Sequence, residues 1–172
     1  MAVEFRPVAD GDARALASSL RPADRAEVLA SDGLGALPAL ERSLTLSSEA
    51  YAGLIDGEVA ALFGVRRVSL ASRRGCPWLL TGAAVERHPC AFLRASRGVL
   101  GTWRRDYDSL ANWVDARHVA ALRWLGWLGF TLHPARPYGV RGLAFHPFEL
   151  EGLLMTERTV AAPLRQTGEE QV

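Results

Sequence analysis

Apolar residues recur along this chain with two periods, one typical of strands and one typical of helices. Period-two and short continuous apolar runs predict strands over residues 3–8, 50–55, 58–65, 77–84, 110–114, 130–133 and 142–150. Longer amphipathic stretches predict helices from residue 10 or 12 to 20, and over 22–31, 37–46, 89–107 and 117–128. The pattern therefore alternates the two kinds of element along most of the chain.

Turn and cap residues fix several of these boundaries. Asp56-Gly57 between two apolar runs is the strongest short signal for a β-hairpin. Pro22 suits the first turn of a helix, and Gly129 ends the helix that precedes Phe130. Asp10 or Asp12 can cap the first helix. The second strand of the hairpin is almost entirely apolar, as expected for a strand that is covered on both faces.

The element order is β-α-α-β-β-β-α-β-α-β-β, with the piece at 37–46 as a third early helix. Antiparallel strands followed by strand–helix units predict an α/β (α+β) fold, with a mixed, mostly antiparallel central sheet and helices on both faces. A chain of 172 residues is the size of one domain. We expect a single domain over 1–150 and a C-terminal tail over 151–172.

Composition excludes several classes of function. The net charge of +1 gives no general attraction to nucleic acid, so none is predicted as a partner. All twenty basic residues are arginine, so no side-chain amine can act as base or Schiff-base former. No apolar run is long enough for a membrane span, and the first residues do not resemble a signal peptide.

The cysteines and histidines do not predict a metal site. Cys76 and Cys90 have the spacing of neither a disulfide framework nor a zinc site, and they suit a reducing cytoplasm. His133 and His146 lie in separate predicted strands without a carboxylate at a diagnostic spacing. We therefore predict no metal cofactor.

Residues 110–132 read LANWVDARHVAALRWLGWLGFTL, which predicts a strand, a cap, a short helix and a Gly-Phe turn. This stretch resembles the GNAT-fold N-acetyltransferases, whose helix after the fifth strand reads N-x-x-A-x-x-L-Y-x-x-x-G-F. Matching positions carry His118 for Asn, Ala121 for Ala, Trp124 for Leu, Leu125 for Tyr, and Gly129-Phe130. The resemblance implies the GNAT fold, with acetyl-CoA as the candidate cofactor.

A closer resemblance covers roughly residues 47–148. The phrases EAYAGLIDGEVAALFGV, PWLLTG, FLRASRGVL and ARHVAALRWLGWLGF are similar to a family of small bacteriophage proteins that includes an internal virion protein of short-tailed phages. This resemblance implies other phage virion proteins as partners. It also implies a location in the host cytoplasm, with incorporation into the virion as a further expectation.

The GNAT resemblance assigns the residues of an acyl-CoA site. The strand residues Leu79, Leu80 and Thr81 stand where the family's backbone contacts the pantetheine arm. The pyrophosphate loop of the family is rich in glycine, because its amides approach the phosphates at a helix N-terminus. Residues 85–91 have no glycine, and Pro89 removes one amide. Candidate phosphate contacts here are Arg87, His88, Cys90 and Ala91.

The catalytic residues of the family are only partly replaced. Leu125 stands at the position of the tyrosine general acid and cannot donate a proton. Asp115 and His118 are the titratable residues near the end of the fifth strand, and either could act as base. Asp115 could instead cap the following helix, and His118 could be a surface or cap-adjacent histidine.

Three functions fit this sequence. The first is a phage protein of the virion or its assembly with a degenerate acyl-CoA site, which is a pseudoenzyme. The alternative is an active N-acetyltransferase that moves an acetyl group from acetyl-CoA to an amine. A third is ligand binding without turnover. Tryptophans at 103, 113, 124 and 127 are expected in the core, and Trp127 would mark a protein contact if exposed.

Overall fold

The computed structural model describes residues 2–69 and 71–153. Its strands are β1 (Val3–Pro7), β2 (Glu49–Ile55), β3 (Glu58–Arg67), β4 (Arg74–Thr81), β5 (Ser109–Asp115), β6 (Thr131–Leu132), β7 (Arg136–Tyr138) and β8 (Leu143–Glu151). Its helices are α1 (Asp12–Ser19), α2 (Pro22–Ser31), α3 (Ala36–Leu46), α4 (Ala83–Arg87), α5 (Pro89–Asp106) and α6 (Val119–Leu128). The predicted tail lies outside the described residues beyond Leu153.

The strands form one sheet in the order β1-β2-β3-β4-β5-β8-β6, and β7 pairs with β8 beside β6. All neighbouring strands are antiparallel except β4 and β5, which are parallel. The prediction of a mixed, mostly antiparallel sheet is therefore confirmed. Within the described part, no helix is long and apolar enough to cross a membrane.

The sheet separates two apolar clusters. Leu16, Leu40, Leu62 and Leu80 belong to the cluster under α1, α2 and α3. On the opposite face, α5 and α6 cover a second cluster; its largest side chains are Phe63, Phe92, Trp103, Tyr107, Phe130 and Phe148. Helices thus cover both faces, as the almost entirely apolar run of β3 predicts.

The predicted strand over 77–84 is wrong at both ends. β4 begins earlier, at Arg74, because Gly75 pairs with both Arg67 and Leu110. It ends at Thr81, where the Gly82 amide donates the last bond of the ladder to the Ala60 carbonyl. Gly82 then caps the short helix α4, which is favoured by its two alanines and was not predicted.

Helix α2 is attached at both ends to strands on opposite sides of the β4–β5 boundary. At its start, the Arg21 amide donates to the Thr81 carbonyl at the end of β4 (3.0 Å). At its end, the amides of Val140 and Arg141 in the β7–β8 turn donate to the carbonyls of Ser31 and Ala30. The helix therefore lies across one face of the sheet, over the junction between β4 and the β5–β8 pair.

Two glycines give a first prediction, on stability. A Cβ at Gly64 would lie 2.6 Å from the Glu49 carbonyl oxygen, whereas one at Gly98 in α5 would meet nothing within 4 Å. We expect Gly64→Ala to lower the free energy of unfolding by about 1–3 kcal/mol because the backbone must shift. Gly98→Ala should raise it by about 0.5–1 kcal/mol, since alanine favours the helix. Urea denaturation measures both, and a neutral Gly64→Ala would contradict the close packing of β2 and β3.

Candidate functional site

Strands β4 and β5 separate shortly after they meet. Only two residue pairs join them, Arg74 with Ser109 and Gly75 with Leu110. Just beyond, the Asn112 side chain bridges the gap, donating from Nδ2 to the Pro77 carbonyl (2.8 Å) and accepting from the Trp113 amide (2.9 Å). Past this bridge the strands are unpaired, and the sheet has a V-shaped cleft.

The β4 edge of the cleft presents backbone groups at alternate residues. Since the Gly82 amide bonds β3, the amides and carbonyls of Thr81 and Leu79 must point the other way, toward the cleft. Those of Thr81 are already bonded, its amide to Asp24 Oδ1 (3.0 Å) and its carbonyl to the Arg21 amide (3.0 Å). Leu79 is the residue of β4 whose amide and carbonyl remain for a ligand in the cleft.

A cavity of about 380 Å³ occupies the cleft and extends to both faces of the sheet. Toward α5 and α6 its walls are largely apolar: Phe63, Leu79, Phe92, Ser96, Val99, Leu100, Trp103, Ala121, Trp124, Leu125, Leu128, Phe130 and Phe148. Toward α2 and α3 polar and aromatic side chains line it: Arg21, Asp24, Glu27, Ser31, Asp32, Arg42, Ser43, Arg66, Trp78, Trp113, His118 and Tyr138. The two ends of the cavity therefore suit different chemical groups.

Asp24 is the centre of a buried polar cluster at the start of α2. Its carboxylate accepts from Arg21 Nε (2.9 Å), from the Thr81 hydroxyl (3.2 Å) and from the Thr81 amide, and it lies 3.5 Å from His118 Nε2. Burial alone would raise the pKa of Asp24, but the bond from His118 and the charge of Arg21 lower it overall. Asp24 is thus ionised and fully bonded, and it fixes α2 to the end of β4.

Glu27 lies one helical turn further along α2, in the wall of the cavity. Burial raises the pKa of its carboxyl group to about 7; the charge of His118 opposes the rise, and those of Asp24 and Asp115 add to it. A carboxylate that exchanges its proton near neutral pH has the strength needed for a general base. Because α2 crosses the cleft, this carboxyl group lies between β4 and β5.

His118 is the N-cap of α6, where Nδ1 accepts from the Ala121 amide (3.3 Å). The neutral ring must therefore carry its hydrogen on Nε2, which lies 3.5 Å from Asp24 Oδ2 and 3.3 Å from Arg21 Nη2. Burial lowers the pKa of His118, but the bond and charge of Asp24 outweigh burial and raise it overall. Both ring nitrogens are engaged, so the structure gives His118 a positioning role. The alternative of a surface histidine is wrong, and that of a histidine at the helix cap is confirmed.

Asp115 is buried at the end of β5, and its carboxylate accepts from the amide and the guanidinium of Arg117 (2.8 and 2.9 Å). Burial raises its pKa, and these bonds lower it further than burial raises it. The predicted helix start at residue 117 is wrong, because α6 begins at Val119 with His118 as its cap. Asp115 thus orders the turn before α6.

The structure divides the predicted cofactor residues into two groups. Leu79, Leu80 and Thr81 line the cavity. Arg87, His88, Cys90 and Ala91 are outside its lining, and Arg87 instead pairs with Glu58 beside the β2–β3 turn (3.2 Å). Whether any of these residues contacts a cofactor stays a prediction.

Three amides of residues 85–92 are already bonded within the chain, and a fourth is absent. The amides of Val85, His88 and Phe92 donate to the carbonyls of Gly82, Val85 and His88, and Pro89 has no amide. The Phe92 ring points into the core, where it meets the rings of Phe63 and Trp124 edge-on. Helix α4 thus stands at the position of the family's glycine-rich loop, and the amides of Val85, His88 and Phe92 are bonded locally.

Two indole N–H groups at the apolar end, those of Trp103 and Trp124, are shielded from solvent and have no hydrogen-bond partner among the described residues. A buried donor without an acceptor is costly. The packing between α5 and α6 is therefore the part of the site that would gain most from a ligand that brings acceptor oxygens. Trp127, in contrast, is 44% exposed and stacks under Arg97.

Sequence patterns missed the residues contributed by α2. Arg21, Asp24 and Glu27 lie about ninety residues before His118, and in sequence they have the charge pattern of an ordinary helix start. The opening Pro22 identifies the helix but not what it crosses. In the described part of the chain, no group of three or more His, Cys, Asp or Glu side chains could hold a metal ion.

Comparison with solved structures identifies the fold. No protein-family model matches the sequence, and no curated protein is similar to it in sequence. Three solved structures, each matching 87% of this chain, illustrate the likeness. A GCN5-related N-acetyltransferase from Kribbella flavida is 19% identical with a TM-score of 0.61, over 97% of its own length. Spermidine N-acetyltransferase from Vibrio cholerae, solved with CoA and spermine, is 11% identical with a TM-score of 0.63, over 95%. A GNAT-family acetyltransferase from Streptococcus pneumoniae is 13% identical with a TM-score of 0.57, over 99%.

The chain thus has the GNAT fold, as its sequence predicts. At these identities the likeness concerns the architecture, and the chemistry must be argued from the residues of the cleft.

Proposed function

We propose that this protein is an acyltransferase that moves an acyl group from a thioester to an amine, with Glu27 as the general base. The observation that carries the proposal is the position of Glu27 on a helix that crosses the cleft between β4 and β5. A base at this point can reach an acceptor from the α2–α3 face, and a thioester can enter from the opposite face. The GNAT neighbours support the same class of reaction, since those named above are N-acetyltransferases.

The cleft fits one half of acetyl-CoA better than the other. The amide and carbonyl of Leu79 can bond a pantetheine arm that lies against the β4 edge, and the apolar walls toward α5 and α6 can enclose it. The nucleotide half lacks comparable support, because the amides at 85, 88 and 92 are bonded locally and Arg87 is paired with Glu58. We infer that the arm and its acyl group, more than the nucleotide, provide the affinity.

A bound thioester supplies an electrophilic carbonyl carbon and a thiol leaving group. Glu27 accepts the proton of the attacking amine as the new C–N bond forms and the C–S bond breaks. Leu125 cannot donate a proton, so the departing thiolate takes its proton from solvent. Asp24 and His118 hold α2 and the start of α6 in register, which keeps Glu27 over the cleft.

Thiol release from two donors tests this proposal. Purified protein is incubated with acetyl-CoA or with S-acetyl-N-acetylcysteamine, a thioester that carries the end of the arm without the nucleotide, and with a panel of primary amines. We expect amine-dependent thiol release from both, with kcat/KM values within about tenfold, since a few lost phosphate contacts leave most of the binding in place. A Cys90→Ala control excludes acylation of the exposed thiol. If neither donor releases thiol in an amine-dependent way, the proposal is refuted.

A role in a phage particle is a second proposal. It is supported by the resemblance of residues 47–148 to small phage proteins and by the locally bonded amides of Val85, His88 and Phe92, which suit a protein that has lost its cofactor. Mass spectrometry of purified particles and assembly intermediates tests it. Absence of the chain from both would exclude this role, whatever the outcome of the thiol assay.

A further inference from the structure

Beside the charged and polar side chains already named, the end of the cavity that opens between α2 and α3 has a wall of aromatic and apolar side chains. Because side chains alternate along a strand, Trp78 and Trp113 lie on this face of the sheet. Tyr138 stacks on Trp113 with ring centroids 4.3 Å apart and planes 11° apart. Leu46, at the end of α3, lines the same opening and leaves 44% of its surface exposed.

These walls are held in place by contacts from behind. The Arg136 guanidinium lies 4.8 Å from the centre of the Trp113 ring, and the Phe145 ring packs against Tyr138. The Trp78 indole donates to the Ser47 hydroxyl (2.8 Å). The opening is therefore formed before any ligand arrives, which lowers the ordering cost of binding.

The charges at this opening are balanced. The Asp24 carboxylate is already bonded to Arg21 and Thr81. The Asp32 carboxylate lies 3.4 Å from the Arg42 guanidinium. Glu27 remains as the carboxyl group directed at the cleft, and Arg66 adds one positive charge. This balance offers no array of carboxylates for a polyamine and no array of cations for a polyphosphate.

We propose that this opening binds the amine acceptor, and that the acceptor is a single primary amine on an aromatic or extended apolar body. The inference rests on the proposed function for the identity of the reacting group, and it adds the class of substrate. The amine nitrogen is placed at Glu27, while its apolar body lies along Leu46 and the Trp113–Tyr138 stack. Burial of such a body supplies the affinity that this neutral opening cannot obtain from charge.

An acceptor series tests the class. Phenethylamine, n-butylamine, ethanolamine and spermidine are compared as acceptors with S-acetyl-N-acetylcysteamine as donor. We expect kcat/KM to fall at least tenfold from phenethylamine to ethanolamine, and spermidine to be no better than butylamine. Equal values along the series, or a preference for spermidine, would overturn the inference and leave the proposed function standing.

Leu46→Ala tests whether the apolar body of the acceptor binds at this opening. It removes part of the wall at an exposed site, so the fold should tolerate it, and it should raise the KM for phenethylamine about three- to tenfold with little change for ethanolamine. Leu29→Ala is the matched control, because Leu29 is a similarly exposed leucine of α2 outside the cavity lining. Equal effects of the two substitutions on phenethylamine would contradict the assignment.

Direct binding separates the two proposals. Phenethylamine is titrated into the protein by calorimetry without any thioester. If it binds, and Leu46→Ala but not Leu29→Ala weakens it, the amine site stands even where no thiol release is seen. If neither binding nor release occurs, both proposals fail.

Discussion

Replacing Glu27 by glutamine is expected to lower kcat/KM for amine acylation by about 10²–10⁴-fold, because the substituted side chain keeps its shape and loses the proton acceptor. In the unchanged protein the rate should fall as pH drops through about 7, where Glu27 takes up its proton. The variant should lack this inflection. Glu41→Gln is the matched control, since Glu41 is an exposed glutamate of α3 outside the cavity lining. A variant with unchanged activity and pH profile would remove Glu27 from the reaction.

Glu27→Gln should lower activity but raise the free energy of unfolding at neutral and higher pH. The pKa of Glu27 is raised in the folded protein, from an ordinary value of 4.5 to about 7. The stability it contributes is therefore present below about pH 4.5 and is lost as pH rises through 7. We compare the free energy of unfolding of Glu27→Gln with that of the unchanged protein at each pH. The advantage of the variant should be larger at pH 8 than at pH 5 by on the order of 2 kcal/mol, allowing for the partial exposure of the carboxyl group. Urea denaturation at the two pH values measures the difference, and a reversed sign would show that Glu27 is not strained by burial.

Replacing Asp24 by alanine should have the largest effect on folding, lowering the free energy of unfolding by about 3–5 kcal/mol. The change leaves the Arg21 guanidinium and the Thr81 amide buried without their partner. Because the pKa of Asp24 is lowered in the folded protein, its contribution is present above the ordinary pKa of 3.8 and is lost as pH falls further. The difference between the variant and the unchanged protein should therefore shrink in acid.

Asp32→Ala is the control for this prediction. Asp32 pairs with Arg42 on the surface, where both side chains are substantially exposed, so its loss should cost less than about 1 kcal/mol. Urea denaturation at pH 7 compares the two variants. Similar losses for both would contradict the assignment of Asp24 as the buried anchor of α2.

The two carboxylates of α2 thus have separate tasks that follow from their surroundings. Asp24 is surrounded by donors, which keep it ionised and bonded. Glu27 is buried near other carboxylates, which makes its charged form costly despite the opposing charge of His118. One helical turn separates the anchor from the proposed base, and the difference is due to the groups that the sheet brings to each.

Local signals were sufficient for most of the architecture. The Asp56-Gly57 turn, the apolar run of β3 and the Gly129-Phe130 helix end each act on neighbouring residues, so pattern and structure agree at these places. The likeness of residues 118–130 to the GNAT helix correctly indicated the fold. The absence of glycine at 85–91 was also visible in the sequence, although its replacement by helix α4 was not.

Tertiary structure determines the cleft and the position of Glu27 in it. Nothing local to Pro22 or Glu27 shows that α2 is bonded at one end to β4 and at the other to the β7–β8 turn. That crossing buries Glu27 near Asp24 and Asp115; burial and the charges of these two carboxylates raise its pKa, against the opposing charge of His118. Periodicity determines which face of a helix is buried, because it depends on neighbours a few residues away. Which charges meet there depends on contacts between distant segments, and these exist only once the sheet has formed.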